Sequence, residues 1–241
     1  MDYSKEIKER VEFIRDYVHK AGGKGVVLGV SGGKDSAVVA ALAKKAFPQT
    51  SFGVIMPCHS LQKDIEHGKL LCESIGLEYT IVDLTEAYET LLKNIPVGIT
   101  DISKANIKPR LRMTTLYAIA QSQNALVLGT GNRTEITLGY FTKHGDGACD
   151  INPISDLTVG QVFDMARELN IPKEIIEKPP SAGLWEGQTD EGELGLKYAD
   201  VDNYLLTGQG SQELIERVKY LNRVTEHKRK GYAQFRDYRT L

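Results

Sequence analysis

The first 130 residues alternate between two hydrophobic periods, one typical of helices and the other of buried strands. Ile7, Val11, Ile14 and Val18 recur at helical spacing near the N-terminus, whereas residues 26–30 form a short apolar run closed by glycines. The same two patterns then repeat along the chain. They predict helices at 6–19, 35–47, 63–75, a segment ending at 93, and 103–123, and strands at 26–30, 51–56, 78–84 and 125–129.

Strands that alternate with helices favour βαβ units with right-handed crossovers. Such units form a parallel sheet with helices on both faces. We therefore predict an α/β fold with a doubly wound, mainly parallel sheet of the Rossmann-like type, and we expect residues 1–241 to form a single domain. Past residue 140 the regularity fails, and residues 141–150 and 178–195 are predicted to be long loops. The segment 211–229 is predicted to be one long helical tail.

The composition of the chain limits its binding partners and its cellular location, but it does not indicate which reaction the protein catalyses. The 241 residues carry a formal net charge of −2, so we expect no binding to nucleic acid and none to a membrane. Cys58, Cys72 and Cys149 are widely spaced, which suits neither a zinc site nor a disulfide framework. The charged N-terminal segment lacks the apolar stretch of a signal peptide. We expect a cytoplasmic protein.

The loop between the first predicted strand and the next helix is the most informative segment. It reads Ser31-Gly32-Gly33-Lys34-Asp35-Ser36. Its two glycines allow backbone N–H groups to turn inward, and the helix adds its positive N-terminal end. The two serine hydroxyls can donate to the same anion. The pattern predicts a phosphate-binding loop, although it differs from the GxxxxGK[ST] loop of other nucleotide-binding proteins.

Asp35 is the unexpected member of this loop, because a carboxylate repels phosphate. A Mg²⁺ ion that bridges Asp35 and the phosphates would remove the conflict. The alternative is that Asp35 only caps the N-terminus of the helix. Because ligands of parallel sheets lie at the carboxyl ends of the strands, residues 130–135 are expected on the same rim as the loop.

The loop resembles the pyrophosphate-binding signature of the N-type ATP pyrophosphatases. That superfamily includes NAD, GMP, asparagine and argininosuccinate synthetases and tRNA-thiolating enzymes. The resemblance implies that the chain binds ATP and releases pyrophosphate after adenylating an oxygen of its substrate. It implies ATP contacts for Gly29, Val30, Ser31, Gly32, Gly33, Lys34, Asp35 and Ser36.

Later blocks narrow the resemblance to the NAD synthetases. They include Asn106-Ile107-Lys108-Pro109-Arg110, Gly129-Thr130-Gly131-Asn132, and Phe141-Thr142-Lys143-His144-Gly145-Asp146-Gly147. Further blocks begin at Asp150, Lys178 and Thr225. Because all of them occur in the family's order and span nearly the whole chain, the sequence is identified by resemblance as a member of the NAD synthetase family.

The resemblance implies a reaction in two steps. The nicotinate carboxylate of deamido-NAD attacks the α-phosphorus of ATP and gives an adenylate and pyrophosphate. Ammonia then attacks the activated carbonyl, which forms the amide and releases AMP. Free ammonia is the expected nitrogen donor, because no glutaminase-like unit accompanies the synthetase blocks. The alternative is that a separate glutaminase subunit supplies the ammonia.

The resemblance also implies roles for individual side chains. Thr130 and Ser181 match ATP-side positions. The positions that contact deamido-NAD are matched by Arg110, Lys143, Asp150, His227 and Lys228. The residues expected to act in the chemical steps are Ser31, Asp35, Ser36, Lys143 and Asp150. For His227 and Lys228, a basic helix end stabilised by the helix dipole is the alternative.

Glu135 follows the fourth predicted strand and is expected to share a Mg²⁺ ion with Asp35. Its alternative role is that of a first-turn helix carboxylate stabilised by the dipole.

Two departures from the family pattern concern ATP. Val159 occupies the position of an expected ATP-side lysine, and Cys58-His59 replaces a small serine near the expected adenine site. Both put the affinity for ATP in question, and Lys34 is a candidate for supplying the missing charge.

NAD synthetases are homodimers, and the predicted helix at 103–123 and the tail at 211–225 offer candidate contact faces. Two other classes of protein stay open. A tRNA-thiolating enzyme would need additional cysteines and a broad basic surface. A nucleotide-binding module without catalysis would keep the loop, but it would not need Asp35 together with Glu135.

Overall fold

A computed structural model describes residues 1–178 and 190–231 of the chain. Its strands are β1 (Gly25–Gly29), β2 (Ser51–Ile55), β3 (Glu78–Ile81) and β4 (Ala125–Leu128). All four pair in parallel, in the order β3-β2-β1-β4. The strand order therefore reverses between β1 and β4, and a sheet of this type binds its ligands at such a reversal.

Helices connect and cover the strands. Asp2 caps the N-terminus of the first helix, since its carboxylate accepts from the N–H of Lys5. The helices are α1 (Tyr3–Lys20), α2 (Lys34–Ala46), α3 (Gln62–Ile75), α4 (Thr85–Asn94), α5 (Asp101–Ser122), α6 (Arg133–Leu138), α7 (Val159–Glu168), α8 (Lys173–Ile176), α9 (Asp190–Leu194), α10 (Tyr198–Thr207), α11 (Gln212–Val224) and α12 (Glu226–Arg229).

The two faces of the sheet carry separate apolar layers. Successive side chains of a strand point to opposite faces. In β1, Val26 and Leu28 pack into the layer formed with α1, α2 and α7. Val27 faces the other way and packs with Val54 and Ala120 in the layer formed with α4 and α5. A third, smaller cluster joins α10 and α11 to α6 and α7.

The predicted doubly wound parallel fold is confirmed by this arrangement. The predicted strands and helices of the first 130 residues are all present. The largest differences are three residues, at α1, which begins at Tyr3 rather than at residue 6, and at β3, which ends at Ile81 rather than at residue 84. The chain turns there because the Asp83 carboxylate accepts from the N–H of Thr85 at the start of α4.

The prediction of one continuous helix over 211–229 is wrong. α11 ends at Val224, and the short α12 begins at Glu226. Thr225 lies between them with φ −101° and ψ 7°, and its hydroxyl donates to the carbonyl of Leu221. The predicted loop at 178–195 also contains a helix, because α9 occupies Asp190–Leu194. In the described part of the chain, no helix is long and apolar enough to cross a membrane.

Candidate functional site

A cavity of about 470 Å³ opens at the carboxyl ends of β1 and β4. Its walls come from the 31–36 loop and the start of α2, from α5, and from the segment 128–131 that follows β4. Residues 139–148, which follow α6, complete the rim. The cavity therefore lies at the point where the strand order reverses, as expected for a nucleotide-binding sheet.

The 31–36 loop is held in a compact turn by its own serines. The hydroxyls of Ser31 and Ser36 lie 3.0 Å apart, and the Ser36 hydroxyl donates to the carbonyl of Gly33 at 2.9 Å. The N–H of Ser31 donates to Ser36 Oγ, and that of Gly33 donates to Ser31 Oγ. Gly33 is the N-cap residue of α2, and no side chain caps the first turn of that helix. The positive N-terminal end of α2 is therefore open to the cavity.

Gly32 is required by the shape of this loop. Its φ is +75°, a left-handed conformation that favours glycine. A Cβ atom added there would lie 2.5 Å from the carbonyl oxygen of Asp64. The loop thus packs directly against the start of α3, and a larger residue would displace it.

The carboxylate of Asp35 is bound on both oxygens. Lys34 Nζ lies 2.6 Å from Oδ2, and Asn132 Nδ2 donates to Oδ1 at 3.0 Å. Asn132 is fully buried, so this contact fixes the α2 carboxylate against the segment that follows β4. The two loops on the rim are therefore joined through one side chain.

Asn132 also organises the start of α6. Its side-chain oxygen accepts from the N–H of Glu135, and its own N–H donates to Glu135 Oε2, both at 3.0 Å. This reciprocal pair is a capping box. Glu135 lines the cavity, as does Asp35. Both carboxylates therefore bind Asn132, and both residues line the same cavity.

Basic side chains surround the remainder of the cavity. Arg112 of α5 donates to the carbonyl of Met56 at 3.0 Å, and burial lowers its pKa. Lys228 of α12 donates to the carbonyls of Gly139 and Phe141, both at 2.8 Å. Burial also lowers the pKa of Lys228.

A family model for NAD synthase matches residues 6–232 of the sequence. This chain belongs to the NAD synthase family. The match covers nearly the whole chain, including both loops on the cavity rim.

Individual relatives of the family agree with this assignment. The chain is 49% identical over 234 residues to an ammonia-dependent NAD synthetase of Carboxydothermus hydrogenoformans, an alignment that covers 95% of this chain and 96% of that one. A solved structure of NMN synthetase from Francisella tularensis has a TM-score of 0.94 and 37% identity and covers 97% of this chain and 98% of that chain. A solved structure of an ammonia-dependent NAD synthetase from Campylobacter jejuni has a TM-score of 0.82 and 32% identity. It covers 98% of this chain and 100% of that chain.

In this member of the NAD synthase family, many of the predicted ATP-side residues line one cavity. The predicted residues on its wall are Gly29, Val30, Ser31, Gly33, Lys34, Asp35, Ser36, Thr130, Glu135 and Lys228. Gly32 shapes the loop without lining the cavity. Ser181 lies outside the described residues.

Three predicted substrate residues form a row beside the cavity rather than in its wall. Arg110 Nε donates to the carbonyl of Lys143, and Lys143 Nζ donates to the carbonyl of His227 at 2.7 Å. This row joins α5, the 141–147 segment and α12. It gives the predicted substrate contacts a common surface next to the rim.

Asp150 does not line the cavity in this structure. Its carboxylate accepts from the N–H of Val127 at 2.8 Å and from the hydroxyl of Tyr117 at 3.2 Å. These contacts attach the predicted substrate loop to β4 and α5. The charge of Asp150 raises the pKa of Tyr117 further, in addition to the larger effect of burial.

Several residues of the cavity region were not selected from the sequence. The pattern Asn132-Arg133-Thr134-Glu135 could have revealed Asn132, because an N-cap residue followed three positions later by Glu is typical of a helix start. Asp146, which lines the cavity, had no such local signal. Its pKa is raised because protein atoms desolvate the carboxyl group, although the N–H of Thr142 donates to it.

The two departures from the family pattern lie off the cavity wall. Val159 is buried in the third apolar cluster, at the start of α7. Cys58 is buried, and its pKa is raised by that burial. Neither Cys58 nor His59 lines the described cavity, whereas the adjacent Pro57 and Ser60 do.

Proposed function

We propose that this chain is an ammonia-dependent NAD synthetase, a ligase that converts the nicotinate carboxylate of deamido-NAD into the amide at the expense of ATP. The observation that carries the proposal is the convergence of the 31–36 loop and Glu135 on one cavity at the strand reversal. The name and the 49% identity of the Carboxydothermus relative support the same activity.

The loop suits the phosphates of ATP. The start of α2 has no side-chain cap and lies on the cavity wall, where its N–H groups would meet anionic oxygens. The hydroxyls of Ser31 and Ser36, which bond to each other and to Gly33, would turn toward the phosphates when ATP binds. In the proposed first step, the nicotinate oxygen forms a bond to the α-phosphorus while the bond to pyrophosphate breaks. In the second step, ammonia bonds to the carbonyl carbon, AMP leaves, and one proton is released. Positioning and charge neutralisation are the main contributions of the protein.

The residues present fit a bound Mg²⁺ ion. Mg²⁺ prefers oxygen ligands and is commonly held by one or two carboxylates together with substrate phosphates. Asp35 and Glu135 both hydrogen bond to Asn132 and both line the same cavity. We assign them as the protein ligands; the ion would neutralise the phosphates and bring them to the loop.

For the acid substrate, we assign the row of Arg110, Lys143 and His227, together with Lys228 and Asp150. The row is adjacent to the cavity rim and carries positive charge, which suits the phosphates of a dinucleotide. Thr130 lines the same cavity and is assigned to ATP. Ser181 is kept as an ATP-side prediction.

One assay tests the proposed activity directly. The purified protein is incubated with ATP, Mg²⁺, ammonium and deamido-NAD, and NAD, AMP and pyrophosphate are measured. We expect all three products in equal amounts. Pyrophosphate release that does not depend on deamido-NAD, or no release at all, would refute the proposal.

A second candidate substrate is nicotinate mononucleotide. The NMN synthetase of Francisella tularensis superposes with a TM-score of 0.94, compared with 0.82 for the Campylobacter NAD synthetase. The same chemistry applies, because both acids carry the same nicotinate carboxylate. The ratio of kcat/KM for the mononucleotide and the dinucleotide decides between them, and a ratio above one would make the chain an NMN synthetase.

We further propose that the chain forms a homodimer. Tyr220 and Val224 are exposed apolar residues on α11, and Ile102 is exposed at the start of α5, so both predicted contact elements carry apolar surface. The single-domain organisation and the cytoplasmic location remain predictions from the sequence.

A further inference from the structure

Lys34 is a buried cation at the centre of the nucleotide site. It is the first residue of α2, and its side chain is 5% exposed. A lysine is seldom buried to this extent unless its charge is paired. Lys34 is one of the residues that line the cavity, and its ammonium lies 2.6 Å from Asp35 Oδ2.

A second element fixes the position of this ammonium. Lys34 Nζ lies 5.1 Å from the ring centroid of Phe163 in α7, a distance at which a cation is attracted to an aromatic face. Val159 and Phe163 are four residues apart in α7 and share one face of that helix. The Lys34 ammonium is therefore directed toward the face of α7 that carries Val159.

The other basic side chains on the described cavity wall are held in place by protein oxygens that are not expected to bind metal. Lys228 binds two backbone carbonyls, and Arg112 binds the Met56 carbonyl and the Ser60 hydroxyl. Lys178 pairs with Asp64 at 2.7 Å. Lys34 differs from them because its partner, Asp35, is itself a proposed metal ligand.

We propose that Lys34 is the phosphate-binding cation of the ATP site and that it neutralises Asp35 until a divalent cation binds that carboxylate. This inference rests on the proposed function, since it concerns the ATP of that reaction. With a divalent cation held by Asp35, the Lys34 ammonium would no longer be needed to neutralise that carboxylate and would bind the triphosphate instead. The Lys34 ammonium thus pairs with Asp35 in the ligand-free protein and with the triphosphate in the complex with ATP and metal.

This role predicts opposite effects on two ligands. Without the Lys34 ammonium, ATP loses one charge-assisted contact and binds more weakly. A divalent cation no longer competes with that ammonium for Asp35, so it binds more tightly to the ATP-free protein. A purely structural role for Lys34 would not strengthen the binding of any ligand.

The experiment measures both affinities without turnover. ATP binding is titrated by calorimetry with saturating Mg²⁺ and without deamido-NAD or ammonium, and Mn²⁺ binding to the ATP-free protein is measured by electron paramagnetic resonance. We expect Lys34→Gln to weaken ATP binding by roughly tenfold or more. We expect the same variant to tighten Mn²⁺ binding, and Lys34→Arg, which keeps the charge, to lose less ATP affinity than Lys34→Gln.

Lys45→Gln is the matched control, because it removes a lysine charge from the exposed side of the same helix. It should leave both affinities unchanged. Melting temperatures establish that each variant is folded. If Lys34→Gln does not fold, Lys34→Met carries the same comparison, since it retains the aliphatic stem beside Phe163.

The outcomes separate this inference from the proposed function. A wild-type protein that binds ATP, together with a folded Lys34→Gln variant whose ATP affinity is within about twofold, would overturn the role of Lys34 alone. Weaker Mn²⁺ binding by that variant would also overturn it. A wild-type protein that fails to bind ATP would overturn the proposed function and the inference together.

Discussion

The two carboxylate oxygens of Asp35 bind Lys34 and Asn132, and the residue lines the cavity. The carboxylate is thereby held in one orientation by two different elements. A side chain fixed in this way can serve as a metal ligand without first losing conformational freedom.

Replacing Asp35 by Asn should remove the charge that attracts Mg²⁺ while preserving the shape of the side chain. Because removal of residues that only orient a metal ligand already costs about 10- to 100-fold, we expect kcat/KM to fall by about a hundredfold or more. The measurement is pyrophosphate release with deamido-NAD, ammonium and ATP. Glu86→Gln, which removes an exposed carboxylate from the first turn of α4, is the control. Full activity in Asp35→Asn would exclude the metal role.

Arg10 joins α1 to the segment that follows the predicted substrate loop. Its guanidinium donates to both oxygens of Asp156, at 2.6 and 2.7 Å, and to the carbonyl of Pro153. This hydrogen bonding from Arg10 lowers the pKa of Asp156 below its ordinary value of 3.8. A carboxyl group with a lowered pKa stabilises the fold above its unfolded pKa, and that stability is lost as the pH falls through the folded value.

Asp156→Asn should therefore destabilise the protein at pH 7, by about 1 kcal/mol for a well-aligned pair whose carboxylate side chain is 64% exposed. The difference from wild type should shrink as the pH falls below 3.8, because the wild-type carboxylate then becomes protonated. Urea unfolding at a series of pH values measures this difference in the free energy of unfolding between the wild type and the variant. Asp101→Asn, in a side chain that is 98% exposed, should change the free energy of unfolding very little at any pH. A difference that grows on acidification would contradict the assignment.

Sequence reasoning at the residue scale found the loop chemistry but not the partners that complete it. The local spacing of Ser31 to Ser36 indicated a phosphate site, since strand, glycines and helix are adjacent in the chain. The bond from Asn132 to Asp35 joins residues 97 positions apart. No local pattern specifies such a contact, because it depends on how β1 and β4 are brought together.

At the scale of elements, the C-terminal helices contact the rim of the cavity at several points, and one of these is a close approach between Thr225 and Gly139. Gly139 ends α6 with φ +67°, and Thr225, between α11 and α12, packs directly against it. Lys228 then donates to the Gly139 carbonyl. The end of α6 is thus held by the segment in which the predicted continuous helix is interrupted.

Gly139→Ala tests this approach. A left-handed alanine costs about 1–2 kcal/mol, and overpacking against Thr225 adds about 1–3 kcal/mol. Gly76→Ala is the matched control, since Gly76 ends α3 with φ +64° and an added Cβ there meets no atom within 4 Å. We expect a clearly larger fall in melting temperature for Gly139→Ala. Equal effects would show that the contact with Thr225 contributes nothing.

Most elements were predictable because their signals are local. The period of 3.6 in α1, the Gly76 stop of α3 and the apolar run of β1 are all visible in short windows of sequence. The break at Thr225 was not, since residues 211–229 keep a helical pattern without Gly or Pro. The contact with Gly139 accompanies the break, and it comes from a residue far earlier in the chain.

For the whole molecule, the proposed homodimer can be tested by light scattering during size-exclusion chromatography. We expect a mass near twice 26.7 kDa. Tyr220→Asp on α11 should shift the protein toward the monomer, because it places a charge on the proposed contact face. Phe13→Asp on α1 is the control, as both side chains are 48% exposed. A monomeric wild type, or dissociation only by Phe13→Asp, would refute the proposed contact.

The strand order β3-β2-β1-β4 also bears on how the molecule is produced. A nascent chain leaves the ribosome from its N-terminus, so β1, β2 and β3 can pair before β4 exists. The 31–36 loop is then complete, but Asn132 and Lys228, which join the later walls, have not yet been synthesised. Because a ligand stabilises only the state that binds it, cellular ATP would selectively protect finished chains from proteolysis. Prematurely terminated chains would be left to the quality-control machinery.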